Sequence, residues 1–287
     1  MADRALVSGR LRILARLRRS QLAHVWAELP LMLERAPADR ASVLFVVGCQ
    51  RSGTTLMTEF FDADPLAKVY PEHSSLSAGD HASRLRLAPL ERVAASLRRS
   101  RFPRIVLKPL VESQRTLELL DAVERSHALW MFRDWRDVAR SNLARFGQRN
   151  GVRNLRFVAE RCKEDWRSEA VSDEVARVVA DEFDEEMAPF DAAALFWWVR
   201  NEHYFSQAFN CDSRIMLCRY EDLVSDPAAE MSRIYAFMGE QMPGDLGFSR
   251  VSKGSLGLGR EIDVSPHIAE RCDEMQGRLL NTYRGEA

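Results

Sequence analysis

No apolar run in these 287 residues approaches the roughly 18 needed to span a bilayer. Arginines interrupt the first residues repeatedly, so no signal-peptide core is expected there. The five cysteines (Cys49, Cys162, Cys211, Cys218 and Cys272) form no CxxC pair and no Cys/His cluster. That scatter argues against a disulfide framework or a zinc site and predicts a reducing, cytoplasmic compartment. Nor is there an excess of charge of either sign. The formal net charge is −1, which gives no global attraction to nucleic acid or an anionic membrane. Any anion site must therefore be local. What the chain does have is apolar mass: 46% hydrophobic residues is ample for a sizeable core.

One stretch organises the rest. Val43 to Val47 is a continuous apolar run that reads as a strand buried on both faces. Gly48 breaks it, and a helical pattern through Leu56, Met57, Phe60 and Phe61 begins after Gly53. Strand, glycine-bounded loop and helix make a phosphate cradle, in which backbone N–H groups and the positive helix end converge on an anion. The spacing from Gly48 to Gly53 matches a nucleotide-binding P-loop, but Thr54 stands where an ATPase or kinase needs lysine. The cation lies inside the loop instead, as Arg51. This predicts a phosphate-type anion handled by chemistry other than ATP hydrolysis.

The remaining chain alternates strands and helices. Residues 1–38 read as a basic amphipathic helix, with Arg10, Arg12, Arg16, Arg18 and Arg19 among leucines and an isoleucine. Such a helix can pack on the domain with a solvated basic face, or touch a membrane surface or a partner. Strands are predicted at 67–70, 104–107, 128–132 and 215–218. Helices are predicted at 74–100, from Ser113 as cap to about Glu124, and from Asp134 as cap to about Phe146. They continue over 152–209 with breaks near Ser172 and Pro189, over 227–238, and from Pro266. The acidic run Asp181, Glu182, Asp184, Glu185 and Glu186 reads as a solvated helix face. Phe196, Trp197 and Trp198 read as core first and pocket wall second. The pattern predicts an α/β fold: a P-loop-type parallel β-sheet flanked by helices, with a helical insertion. Residues 1–40 form the N-terminal segment and 41–287 a single domain.

In such a sheet, ligands bind beyond the carboxyl ends of the strands. The groups expected there are the 48–55 loop, Glu72-His73, Lys108, Arg133 and Tyr220. Ser141 lies about two turns into the helix that Arg133 introduces, so an arginine fork and a hydroxyl can share a second phosphate. Lys253-Gly254-Ser255-Leu256-Gly257 adds a cation and closely approaching backbone amides. A nucleotide with anions at both ends is implied.

The segments QRSGTTL, FRDWRDVARS, RYEDLVSDP and SKGSLGLGR, in that order, resemble the sulfotransferases over roughly residues 41–262. That resemblance implies the donor 3′-phosphoadenosine 5′-phosphosulfate, with 3′-phosphoadenosine 5′-phosphate as product and no metal. It makes Arg51, Ser52, Gly53, Thr54 and Thr55 the 5′-phosphosulfate loop and puts Arg133 and Ser141 on the 3′-phosphate. Lys253 and Gly254 match the Lys-Gly pair that closes over the same phosphate, and Tyr220 matches a tyrosine near the nucleotide. The sequence also departs from the family. Cytosolic members carry Lys-x-His after the third strand, whereas this chain reads Lys108-Pro109-Leu110 and lacks that histidine base. Glu72, 21 residues after Arg51, is similar in spacing to the glutamate of the tyrosylprotein enzymes. Trp135 stands where many relatives have proline.

The expected reaction is in-line sulfuryl transfer to an acceptor hydroxyl, phenol or amine. Glu72 serves as base, with His73 as its rival, Lys108 neutralises the leaving oxygen and Arg51 holds the leaving phosphate. His24, His127, His203 and His267 read as structural. The acceptor, whether small molecule, carbohydrate or peptide, is not legible, though 74–100 and 145–210 are expected to shape its pocket. Two alternatives stay open: an atypical P-loop kinase or NTPase, and an inactive nucleotide-binding protein of the same fold.

Overall fold

A computed structural model describes residues 41–78 and 85–286. The helix expected over 1–38, with any membrane contact it makes, lies outside these residues. In chain order, the first half holds β1 (Ser42–Gly48), α1 (Thr54–Ala63), β2 (Ala67–Tyr70), α2 (Leu90–Arg98), β3 (Arg104–Leu107), α3 (Thr116–Ala122) and β4 (Ser126–Phe132). The helical insertion follows: α4 (Trp135–Phe146), α5 (Asn150–Ala159), α6 (Asp173–Glu182) and α7 (Pro189–Ser206). The chain then returns through β5 (Ile215–Arg219), α8 (Tyr220–Ser225), α9 (Pro227–Phe237) and α10 (Pro266–Arg284).

The five strands run parallel in the order β2-β3-β1-β4-β5. Every residue of β1 is buried, as expected for the central strand of a sheet covered on both faces. Its side chains alternate between two cores. Val43, Phe45 and Val47 join Ala128, Trp130 and Phe132 of β4 in the core under α3, α7 and α10. Leu44 and Val46 join Leu129 and Met131 in the core under α1 and α9, where Met57, Phe61, Ile234 and Tyr235 pack. After β1 the chain moves to one side of the sheet, and after β3 it crosses to β4 on the other. That reversal at β1 leaves a crevice beyond the strand ends, where ligands of such sheets bind.

Several helices differ from the sequence pattern. Within 74–100 only Leu90–Arg98 is helical among the described residues; Ser77 instead bridges Leu87 in an antiparallel pair. Ser113 is not a helix cap. It lies inside a 3₁₀ turn, Leu110–Arg115, fully buried, and accepts the Gly48 N–H at 3.0 Å. Its hydroxyl lies 3.2 Å from the Gly48 carbonyl and 2.7 Å from that of Leu110. The insertion breaks near Ser172 and at Pro189 as expected, but α5 already ends at Ala159, because Asp165 organises 160–172 as turns through the Arg167 and Ser168 amides. The acidic run straddles the end of α6 rather than lining one helix face. Phe196, Trp197 and Trp198 are core, each 6% exposed or less. Among the described residues no helix is long and apolar enough to cross a membrane.

Gly48 sits at φ 117°, and a Cβ there would lie 2.4 Å from the Met131 carbonyl oxygen. Ser113 holds this buried turn of backbone, since its hydroxyl accepts the Gly48 N–H. Replacing it orphans a buried N–H, a cost of about 1–3 kcal/mol. Ser113→Ala should therefore lower the unfolding free energy by that amount, read as a lower urea midpoint at constant slope; an unchanged midpoint removes the turn from Ser113's control.

Candidate active site

The cradle is built by three backbone facts. Arg51 takes a left-handed φ of 70°, Gly53 takes φ 90°, and α1 starts at Thr54 with no side-chain cap on its first amides. Those amides are left open to an anion at the positive end of the helix. Glycine is required at 53 for a second reason. A Cβ there would lie 2.2 Å from the Tyr220 ring.

Two buried polar groups in the cradle lack partners. Ser52 is fully buried and its hydroxyl makes no hydrogen bond. Arg133, 7% exposed, leaves its Nε unpaired. Unsatisfied buried donors are costly, and a site that retains them is suited to a ligand that completes them. The charges point the same way. Burial lowers the pKa of Arg51, and the cations of Arg145 and Arg133 lower it further. An anion bound among these guanidiniums would relieve that repulsion.

The structure brings most of the sequence-derived residues together. Lys108 Nζ lies 3.2 Å from Glu72 Oε1 and 3.2 Å from Thr55 Oγ1, joining the ends of β2 and β3 to the cradle. His73, the rival of Glu72, is exposed. Arg51 Nε donates to Ser141 Oγ at 3.0 Å, so the cradle arginine meets the serine that the sequence paired with Arg133. Arg133 turns elsewhere. Its guanidinium stacks 4.3 Å from the centre of the Tyr220 ring, pairs with Asp137 at 3.2 Å and donates to the Ser255 carbonyl. Tyr220 Oη and Ser255 Oγ are 2.7 Å apart, which closes the group. Lys253 and Gly254 lie in a 3₁₀ turn at the rim, and among the described residues the exposed Lys253 ammonium has no ion-pair partner.

Sequence reasoning passed over Asp137. Its carboxylate is 3% exposed and accepts the Gly257 and Gly259 amides at 2.9 and 2.7 Å. It thereby seats the 253–259 loop on α4 beside Arg133. The only hint was its i,i+4 spacing from Arg133 in FRDWRD, ordinary for a helix ion pair. Glu221 was also passed over, and it accepts the Asp134 amide at 3.0 Å, tying α8 to the start of α4. Trp135 donates its indole N–H to Asp273 of α10 at 2.7 Å.

A family model described as "Sulfotransferase domain" matches residues 42–247. Among solved structures, the sulfotransferase domain from the curacin biosynthetic pathway is similar at TM-score 0.53 and 14% identity. That match covers 84% of this chain and 98% of the other, and it shows the fold. The sulfotransferase domain of the Synechococcus PCC 7002 olefin synthase aligns at TM-score 0.49 and 13% identity over 86% and 98% of the two chains. No curated protein matches the chain in sequence.

Removing the Asp137 carboxylate would free two loop amides and strand a buried guanidinium, a loss typically of about 3–5 kcal/mol. Asp137→Ala should destabilise the fold by that order and speed amide exchange over 254–260. Unchanged protection of Gly257 and Gly259 would show that the loop is seated by something else.

Proposed function

Because the chain belongs to the sulfotransferase family, we propose that it moves the sulfuryl group of 3′-phosphoadenosine 5′-phosphosulfate onto an acceptor hydroxyl, phenol or amine. The observation that carries this reading is the open cradle. An uncapped helix start, an orphaned Ser52 hydroxyl, the crowded cations Arg51, Arg133 and Arg145 and the unpaired Nε of Arg133 stand together there. These groups suit a polyanionic ligand.

In the proposed reaction a lone pair of the acceptor attacks sulfur while the bridging S–O bond breaks. The electrons of that bond pass to the phosphate oxygen, and the acceptor's proton passes to Glu72. Glu72 is one-quarter exposed and lies against Lys108, which suits a base that must meet an incoming substrate. Lys108 contacts both Glu72 and Thr55, so it stands between the base and the cradle. From there it neutralises charge on the departing oxygen, while Arg51 and the Thr54 and Thr55 amides receive the phosphate. A sulfuryl group carries less charge than a phosphoryl group, so these fixed donors suffice and no metal is assigned a role. Arg133, with Ser141, Tyr220 and the Lys253-Gly254 turn, takes the 3′-phosphate. The free cysteines, three of them buried, fit the reducing cytoplasmic setting that the reading assumes.

Glu72→Gln should slow transfer by roughly 10²–10⁴ while leaving affinity for the adenosine bisphosphate product unchanged. Turnover at the wild-type rate in that variant would take Glu72 out of the mechanism. Arg133→Ala should weaken the bisphosphate about tenfold or more, the usual cost of a lost charged hydrogen bond, and should barely affect an analogue without the 3′-phosphate. In calorimetry the wild type should bind the bisphosphate and not ATP; the reverse preference would overturn the donor assignment in favour of a kinase or NTPase.

A further inference from the structure

We infer that Arg86, which has no place in the cradle, is a positioning residue that sets Glu72 against Lys108. This rests on the reading of Glu72 as the base. The direct Glu72–Lys108 contact is partly exposed and cannot by itself hold a turn in register. The turn that carries Glu72 is held by its partners further along. Ser77 Oγ donates to the Glu72 carbonyl at 2.8 Å and accepts the Ser74 amide at 3.0 Å. Ser77 bridges Leu87, the Ala78 amide donates to the Arg86 carbonyl at 2.7 Å, and Ala88 donates to Leu76 at 2.9 Å. The geometry of Glu72 is therefore inherited from residues 86–88.

Those residues are fixed in turn by Glu112. Its carboxylate is fully buried, accepts the Leu87 amide at 2.9 Å and pairs with Arg86 Nε at 3.0 Å. Glu112 sits in the 3₁₀ turn that begins directly after Lys108-Pro109. The far side of the Arg86 fork grips both oxygens of Glu169, at 2.7 and 3.3 Å. Burial pushes Glu169 up, yet the hydrogen bonds from Arg86 and Gln114 and the nearby cations prevail, so its pKa lies below the ordinary range. Gln114 completes the brace by accepting from the fully buried Arg200 of α7 at 3.2 Å. One guanidinium thus links the turn after β2, the turn after β3 and the insertion. Only a planar fork can satisfy two carboxylates at once in this way.

The test compares Arg86→Ala and Arg86→Lys with the wild type and repeats Arg86→Ala in a Glu72→Gln background. Turnover is read as bisphosphate release from the donor, with a phenol, an alcohol, an amine or water as probe acceptor. Arg86→Ala should lower kcat about tenfold or more, as small misplacements of reacting groups do, with bisphosphate affinity by calorimetry unchanged. Arg86→Lys should recover part of the loss. In the Glu72→Gln background the same change should cost almost nothing further, because Arg86 acts through Glu72. A full additional loss there, or an unaltered kcat in Arg86→Ala alone, overturns the inference. Hydrogen exchange supplies a readout independent of turnover. Protection should fall over 72–78 in Arg86→Ala and hold over 52–58, and no change at 72–78 overturns the brace. A wild type that neither binds bisphosphate nor consumes donor would defeat the proposed function, while the exchange experiment would still decide the brace.

Discussion

The backbone turn at the end of β1 is the constraint on which the site depends. Between Gly48 and Gly53 the chain must leave a fully buried strand, expose its amides and enter a helix within a few residues. Both glycines stand at positive φ with no room for a Cβ, one against the main chain of β4 and the other against the Tyr220 ring. Arg51 adopts a left-handed backbone between them without that freedom. Strain of this kind persists only where the surroundings impose it. Here they do so through Ser113 beneath the loop and Tyr220 beside it. The cradle is therefore a property of β3's following turn and of α8 as much as of the loop itself.

Two kinds of information were unequally legible in the amino-acid order. The central strands were plain because burial on both faces writes continuous apolar runs, and the observed bounds of β2 and β3 coincide with those expected. Asp134 as a cap was plain as well, since a short carboxylate before a helical pattern has a local meaning, and its side chain does accept the Arg136 and Asp137 amides. Ser113 carried the same local signature but serves a contact with Gly48, 65 positions away in the chain. Asp137 and Glu112 are similar cases. Each looks like a helix-surface charge until tertiary structure buries it against backbone amides. Nothing local in the sequence of 74–78 or 85–88 announces a bridged pair, because Leu87 is held by Glu112, 25 positions further along the chain.

Charge is distributed by function rather than by sign. Where the fold needs rigidity, guanidiniums are matched by carboxylates, as in the Arg86, Glu112 and Glu169 group and in the Arg104 contacts with Asp64 and Glu240. In the cradle, Arg145 and Arg133 add to the burial that depresses Arg51, and Asp137 pairs with Arg133. A near-neutral chain thus holds a local electropositive basin. Such an arrangement suits the proposed anionic donor without making the whole surface adhesive to polyanions.

Asp137 holds the 253–259 loop by its main-chain amides alone, and an amide is present whatever side chain is attached, proline excepted. Leu258, half exposed between Gly257 and Gly259, donates neither of those two hydrogen bonds. Mutational drift at that position is therefore cheap, and the rim of the cleft can change its character over generations while the seat beneath it stays as it is.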